Sequence, residues 1–297
     1  MKLRRLLPLA ALVLCANGGP HYQSSPERRA ATEQRDWGPW AGPFRDKLVP
    51  NLMRDFGERY LYAEANAALP PPAPGEQRVV FIGDSITDMW NLAAAFPGKP
   101  YVNRGIGSQV TAQMLVRFEQ DVVALRPSAV VILGGVNDVT GFLQLETADG
   151  IVSNIEAMAD IAERHGIAVV LCSILPVRNT PSADYIEAER KPELLREVNA
   201  RLRALAADRG FAFANYTSVL AEADGRLRPE LTTDGVHPLA SGYALMVPVA
   251  VPIAWGELKG FDNAHPFSIG DAKRLLSRAE SKGLAGWGFA EQALPDL

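Results

Sequence analysis

Short apolar runs alternate with longer amphipathic segments along most of the chain. The runs are "RVVFIG" at 78–83, "YVN" at 101–103, "AVVILGG" at 129–135, "IAVVLCSIL" at 167–175 and "FAFAN" at 211–215. The amphipathic segments lie at 86–95, 109–125, 149–165, 185–209 and 239–254. Runs that are apolar throughout are typical of strands buried on both faces. The pattern therefore predicts an α/β fold, a five-stranded parallel sheet with helices on both sides.

Both ends of the chain lack this alternation. Residues 19–50 show no clear period, and 52–69 is predicted to be a helix with Leu52, Phe56, Tyr60 and Leu61 on one side. The stretch "PPPAPGE" at 70–76 cannot continue a helix. After Trp255 only 271–284 has an amphipathic pattern. The predicted division is a signal peptide at 1–18, an N-terminal extension at 19–77, a domain at 78–256 and a C-terminal extension at 257–297.

The first residues are typical of an exported bacterial protein. Basic residues at positions 2, 4 and 5 precede the apolar run at 6–14, which is too short to span a bilayer. Cleavage after Gly18 would remove Cys15 and release a periplasmic or secreted protein. Lipid attachment at Cys15 is the less favoured alternative, because Leu14 occupies a place where lipoprotein signals usually carry a small residue.

Composition points to a globular protein with small-molecule partners. The 297 residues are 47% hydrophobic and 22% charged, which is enough to form one large core. The net charge of −4 comes from interspersed residues, so no basic stripe suits nucleic acid. The two cysteines are Cys15 and Cys172. Removal of Cys15 would leave no intrachain disulfide, and Cys172 is expected to be a packing residue in its strand.

Polar residues cluster where the predicted strands end, the edge at which open parallel sheets bind ligands. The four places are Ser85, "NRGIGSQVT" at 103–111, "GGVND" at 134–138 and "DGVHPLASGY" at 234–243. Each alone is ambiguous. Asp84 and Ser85 are favoured helix caps, and Asn137 and His237 suit ordinary turns and loops. The Gly-Ile-Gly of 105–107 lacks the third glycine of a dinucleotide-binding loop.

Together these residues favour nucleophilic catalysis. A serine nucleophile needs a base within hydrogen-bond reach and a third group to orient that base. Asp234 and His237 are three residues apart, so one turn can present both beside Ser85. Backbone amides of Ser85 and of the Gly107–Ser108 loop, with the Asn137 carboxamide, would stabilise a developing oxyanion.

These blocks, in this order, make the chain similar to the SGNH (GDSL) hydrolase family. They are "FIGDSIT", "NRGIGS", "GGVND" and "DGVHP", and the resemblance extends from about Arg78 to about Trp255. Within the family the chain resembles exported acyl-ester hydrolases. The resemblance implies a flavodoxin-like three-layer α/β/α fold and a serine esterase without metal or cofactor. It also implies a triad of Ser85, Asp234 and His237. The expected partner is a small ester, such as an acyl ester, an acetylated sugar or a lysophospholipid.

One position departs from the family pattern. The family usually has a second glycine where this chain has Ser108, and that residue gives its backbone N–H to the oxyanion. Ser108 is therefore the expected donor, with Gly107 as a neighbour that shares the role. A left-handed backbone at a serine would cost roughly 1–2 kcal/mol.

Other chemistry is less well supported. Asp262 and His265 repeat the Asp-x-x-His spacing but lie in the weakly patterned tail, and the histidines at 21 and 165 lack zinc-ligand spacing. Phosphoryl transfer through Asp84 would want clustered carboxylates, but Asp88 falls in the following helix. The main alternative to an esterase is an exported carbohydrate- or envelope-binding protein with a vestigial site.

Overall fold

The computed structural model describes residues 49–141, 143 and 147–254. Several predictions lie outside these residues: the signal peptide with Cys15, the start of the N-terminal extension, the Asp262–His265 pair and the helix at 271–284. They stay predictions, as does the division of the chain into its four parts.

Five parallel strands form one sheet in the order β2-β1-β3-β4-β5. They are β1 (Val79–Gly83), β2 (Tyr101–Gly105), β3 (Ala129–Leu133), β4 (Ala168–Cys172) and β5 (Ala212–Ala214). Every residue of β1 and β3 is buried, as expected for strands covered on both faces. Strand β2 is added on one side of β1, and β3 and the later strands are added on the other side. Such a change of side opens a crevice at the carboxyl end of β1.

Helices flank the sheet, so the predicted α/β architecture is confirmed. They are α1 (Tyr60–Ala68), α2 (Ser85–Asp88), α3 (Leu92–Ala95), α4 (Thr111–Asp121), α5 (Ala148–Arg164), α6 (Ile186–Arg190), α7 (Pro192–Arg209), α8 (Thr217–Leu220) and α9 (Ala240–Ala254). Short 3-10 turns lie at Val123–Leu125, Asp138–Thr140 and Pro229–Leu231. Within these described residues, no helix combines the length and apolar character needed to cross a membrane.

Two of the predicted helices are interrupted. The segment 86–95 forms the separate turns α2 and α3, because Asn91 leaves the helical conformation and its side chain caps α3. The segment 185–209 forms α6 and α7. Lys191 between them has a left-handed backbone (φ 44°), and Pro192, which lacks an amide hydrogen, starts the second helix.

The predicted helix at 52–69 is wrong in its first half. A helical turn at 49–52 is followed by irregular chain, and α1 begins only at Tyr60. Glu58 has a left-handed backbone (φ 52°), which breaks the helix. Of the four apolar side chains expected on one side, Leu52 is buried and the others are at least 37% exposed. No residue of α1 is buried, so this helix is not held by an apolar face.

Cys172 is a buried free cysteine, as expected for a packing residue. Burial raises the pKa of its thiol to about 12, so the thiol stays protonated and unreactive at neutral pH.

Candidate active site

Ser85 is the first residue of α2 and not the cap of that helix. Asp84 is the cap: its Oδ1 accepts a 3.0 Å hydrogen bond from the Ile86 amide. The Ser85 hydroxyl is therefore available to another partner. Its Oγ lies 2.8 Å from Nε2 of His237, a residue 152 positions further along the chain.

The turn at 234–237 holds a carboxylate against the same imidazole. Asp234 Oδ2 lies 2.6 Å from His237 Nδ1, and Asp234 Oδ1 accepts hydrogen bonds from the amides of Val236 (2.9 Å) and His237 (2.8 Å). Gly235 has φ 84°, and a Cβ there would lie 2.1 Å from the Arg178 carbonyl oxygen. Only glycine fits this turn, which brings Asp234 and His237 into contact.

The loop after β2 packs against the nucleophile. Gly105 lies so close to α2 that a Cβ would fall 2.1 Å from the Asp88 amide nitrogen, and a Cβ on Gly107 would lie 4.0 Å from the Ser85 Cβ. The Asp88 carboxylate lies beside Gly107: a Cβ on Gly107 would be 3.7 Å from Asp88 Oδ2. Ser108 has φ 67°, the left-handed backbone that its place in the glycine block suggested.

Asn137 is held from both sides of its carboxamide. Its Nδ2 donates to the Gln109 carbonyl oxygen at 3.0 Å, and its Oδ1 accepts from Arg190 Nη1 at 3.2 Å. Arg190 also donates to the Val136 carbonyl oxygen at 2.9 Å. The amide group of Asn137 is thereby oriented, with one of its two N–H bonds directed at Gln109 and the other available.

The family model for GDSL-like lipases and acylhydrolases matches residues 81–245. The chain belongs to this family. The resemblance in the sequence is thus confirmed, and the protein is an ester-hydrolysing enzyme. A comparison with curated proteins gave no significant match.

Several solved structures are similar to this chain over nearly all of their own length. A GDSL-like lipase from Bacteroides thetaiotaomicron is 36% identical, with a TM-score of 0.61, over 66% of this chain and 96% of its own. A predicted acylhydrolase from Bacteroides fragilis is 35% identical, with a TM-score of 0.64, over 69% and 99%. A variant of an acetyl-xylooligosaccharide esterase from a Geobacillus species is 20% identical (TM-score 0.51, 64% and 96%) and shows the shared fold.

Two carboxyl groups of this GDSL-like hydrolase have pKa values that are shifted in opposite directions. Partial burial acts to raise the pKa of Asp234, but hydrogen bonds from the His237 ring and from two amides hold it well below its usual range. Complete burial raises the pKa of Asp84 to about 6, despite the hydrogen bond from the Ile86 amide. Asp84 Oδ2 has no hydrogen-bond partner among the described residues. Asp234 is therefore the carboxylate that is ionised throughout the neutral range.

The site opens into a cleft of about 560 Å³. Its walls are formed by Ser85, Met89, Ser108, Asn137, Ala183, Tyr185, Ile186, Arg190, Asp234, Val236 and His237. The structure thus brings the candidate serine, histidine and aspartate together with Ser108 and Asn137. Gly107 is not among the residues that line the cleft. Across residues 49–141, 143 and 147–254, no group of three or more His, Cys, Asp and Glu side chains is arranged to hold a metal ion.

The sequence pattern did not single out Arg190, which is 6% exposed and contacts Asn137. It falls in an amphipathic segment, where an arginine normally faces solvent. The segment 174–192 carries three polar residues suited to substrate recognition, Arg178, Asp184 and Tyr185. Of these, Tyr185 lines the cleft. Arg178 instead forms an ion pair with Glu222. Asp184 is exposed.

Proposed function

We propose that this enzyme is a serine esterase that hydrolyses short-acyl or acetyl carboxylic esters through an acyl-enzyme on Ser85. One observation carries the proposal. The Ser85 hydroxyl lies 2.8 Å from one nitrogen of His237, and the Asp234 carboxylate lies 2.6 Å from the other. This is the nucleophile, base and orienting group that hydroxyl catalysis needs.

Acylation begins with proton transfer. With its own proton on Nδ1 and held by Asp234, His237 accepts the Ser85 proton at Nε2 while Oγ attacks the ester carbonyl carbon. The imidazolium that forms lies against the ionised Asp234 carboxylate, which stabilises its charge.

The carbonyl oxygen becomes an oxyanion, and we assign its three donors to residues that line the same cleft. They are the backbone amides of Ser85 and Ser108 and the Nδ2 group of Asn137. Gly107 was a candidate to share this role; Ser108 is favoured because it lines the cleft, whereas Gly107 is not among the lining residues. Arg190 supports the hole indirectly by fixing Asn137.

The intermediate then collapses. His237 donates the Nε2 proton to the leaving alcohol oxygen, the ester C–O bond breaks and the acyl group stays on Ser85. Water attacks this acyl-enzyme, His237 accepts the proton of the water, and the carboxylic acid leaves as Ser85 Oγ regains its proton. The cleft walls contributed by Met89, Ile186 and Val236 suit an acyl chain, because all three are apolar.

Hydrolysis of p-nitrophenyl esters from acetate to octanoate tests this mechanism, with the wild type, Ser85→Ala and Ser182→Ala compared with and without EDTA. Ser182 is an exposed serine whose Oγ shares a hydrogen bond with Thr180 and with no other described residue, so its variant controls for loss of a hydroxyl. We expect chelator-resistant turnover that falls by roughly three or more orders of magnitude only in Ser85→Ala. Equal turnover in wild type and Ser85→Ala would refute the acyl-enzyme. Ester binding without turnover in the wild type would indicate a vestigial site.

We also propose export to the periplasm or medium, which rests on the pattern of residues 1–18 alone. Mass spectrometry of the mature protein tests it. A new N-terminus at Gly19 is expected, a lipidated Cys15 would support the anchored alternative, and an intact Met1 would contradict export.

A further inference from the structure

Hydrogen bonds connect the N-terminal extension to the end of β2, to the loop that carries Ser108 and to the first turn of α4. The Tyr62 hydroxyl donates to the Gly105 carbonyl oxygen at 2.5 Å, and Gln113 Nε2 donates to the Phe56 carbonyl oxygen at 2.9 Å. Gln109 Nε2 donates to the Gly57 carbonyl oxygen at 3.1 Å. All three extension residues precede 81–245, the part that the family model matches.

Gln109 is the centre of these contacts and is completely buried. Its Nε2 also donates to Glu58 Oε2 at 3.1 Å, and its Oε1 accepts from Arg117 Nε at 2.6 Å. Its main chain directly follows Ser108, and its carbonyl oxygen accepts the hydrogen bond from Asn137. The position of one glutamine therefore affects two of the three candidate oxyanion donors.

Arg117 extends the same network to the nucleophile. It is fully buried and donates to the Gly83 carbonyl oxygen at 3.0 Å, and Gly83 is the last residue of β1, two positions before Ser85. It also donates to the Arg104 carbonyl oxygen (2.8 Å) and to Asp121 (3.1 Å). One hydrogen-bonded network thus joins the extension, the end of β1 and the loop after β2.

Strain is present on both sides of this contact. Glu58 and Ser108 are two of the four non-glycine residues with a left-handed backbone among those described. Such conformations cost energy and persist where surrounding contacts fix them, often at functional sites. Glu58 is also 6% exposed, an unusual environment for a carboxylate. A sequence optimised only for stability would favour glycine at such a position.

We propose that Glu58 and Gln109 are positioning residues for the oxyanion hole, so that the N-terminal extension is part of the catalytic apparatus. The Glu58 carboxylate fixes the Gln109 side chain, and the Gln109 main chain in turn places the Ser108 amide and the Asn137 carboxamide. The inference rests on the proposed serine-esterase mechanism.

A positioning role and a purely structural role differ in their kinetic consequences. Oxyanion donors act mainly on the transition state, so a small displacement lowers kcat and leaves KM nearly unchanged. A purely structural contact changes the melting temperature but leaves the kcat of each folded active site unchanged. The kinetic measurements therefore need active-site titration with a fluorophosphonate that labels Ser85.

The first variant is Glu58→Gly, because glycine accepts the left-handed backbone and folding is preserved while the carboxylate is lost. We expect kcat for p-nitrophenyl acetate to fall about tenfold, since misplaced donors lose part of their effect, with KM within about twofold. Arg59→Gln is the matched control. Its side chain bonds Asp55 alone among the residues described, so kcat should equal that of the wild type.

A swap of the two side chains gives the sharper test. Gln109→Glu places two carboxylates against each other and should lower kcat at least as much as Glu58→Gly. Adding Glu58→Gln to that variant removes the repulsion between the carboxylates and restores an amide–carboxylate hydrogen bond with its direction reversed. The Gly57 carbonyl oxygen stays without its donor, so we expect a partial recovery of kcat, about threefold over the single variant.

The outcomes separate the two proposals. If the wild type and Ser85→Ala hydrolyse the ester equally, the serine mechanism itself fails. If the wild type is active and Ser85→Ala is inactive, but Glu58→Gly keeps the wild-type kcat per titrated site, the positioning role is overturned. A lower melting temperature with unchanged kcat in Glu58→Gly likewise overturns it.

Discussion

Replacing Asp84 by Asn should remove a pH-dependent loss of stability. Asp84 is 1% exposed, and burial raises the pKa of its carboxyl to about 6 from a usual value of 3.8. One oxygen accepts from the Ile86 amide, and an asparagine Oδ1 can keep that cap. The other oxygen has no hydrogen-bond partner among the described residues, so a neutral amide is favoured there over a carboxylate.

The sign and size of this pH dependence of stability follow from proton linkage. Because the pKa is higher in the folded state, the folded protein binds more protons than the unfolded chain between about pH 4 and pH 6. Its stability therefore falls as pH rises through that window. The difference of about 2 pKa units corresponds to about 3 kcal/mol, fully lost above pH 6. Asp84→Asn should thus gain up to about 3 kcal/mol over the wild type on going from pH 4 to pH 7.5.

Urea unfolding of wild type and variant at several values between pH 4 and pH 7.5 measures this gain. Asp149→Asn makes the same charge change at a side chain that is 85% exposed, so it controls for the loss of one negative charge. A difference between Asp84→Asn and the wild type that stays constant with pH would show that Asp84 is not destabilised by ionisation.

Two further predictions concern the oxyanion loop and Arg190. Ser108→Gly should stabilise the fold by about 0.5–1 kcal/mol, since glycine relieves the strain of the left-handed backbone but loses more backbone entropy on folding. The kcat should stay within about twofold of the wild type, because the backbone amide remains. Urea unfolding and kinetics check this, and a loss of stability would contradict it. Arg190→Met should lower kcat about 10- to 100-fold per titrated site, because it releases the Asn137 carboxamide, and Arg190→Lys should have an intermediate kcat. An unchanged kcat in Arg190→Met would show that Arg190 does not position Asn137.

The strands and their order along the chain could be predicted from the sequence because the pattern that indicates each strand is local. Each strand is a continuous apolar run, and burial on both faces needs no information from distant residues. The helix interruptions were harder to predict. Pro192 and Asn91 can start or cap a helix, but each can also occur beside one that continues, so amphipathic periodicity alone merged the pieces. The prediction for the segment 52–69 was wrong for a different reason. The spacing of its apolar residues suggested a buried face, but the contacts of this segment are polar.

The candidate chemistry was readable from four short blocks, because parallel strands bring their carboxyl ends to one edge whatever the rest of the chain does. The sequence by itself thus determined the fold class, the family and the residue types at that edge. Only the tertiary structure decided which residues outside the four blocks meet the site, such as Gln109 and Glu58, which are 51 positions apart. Such contacts depend on the packing of whole elements. No local pattern records them, which is why Arg190 and Glu58 became visible only in the folded chain.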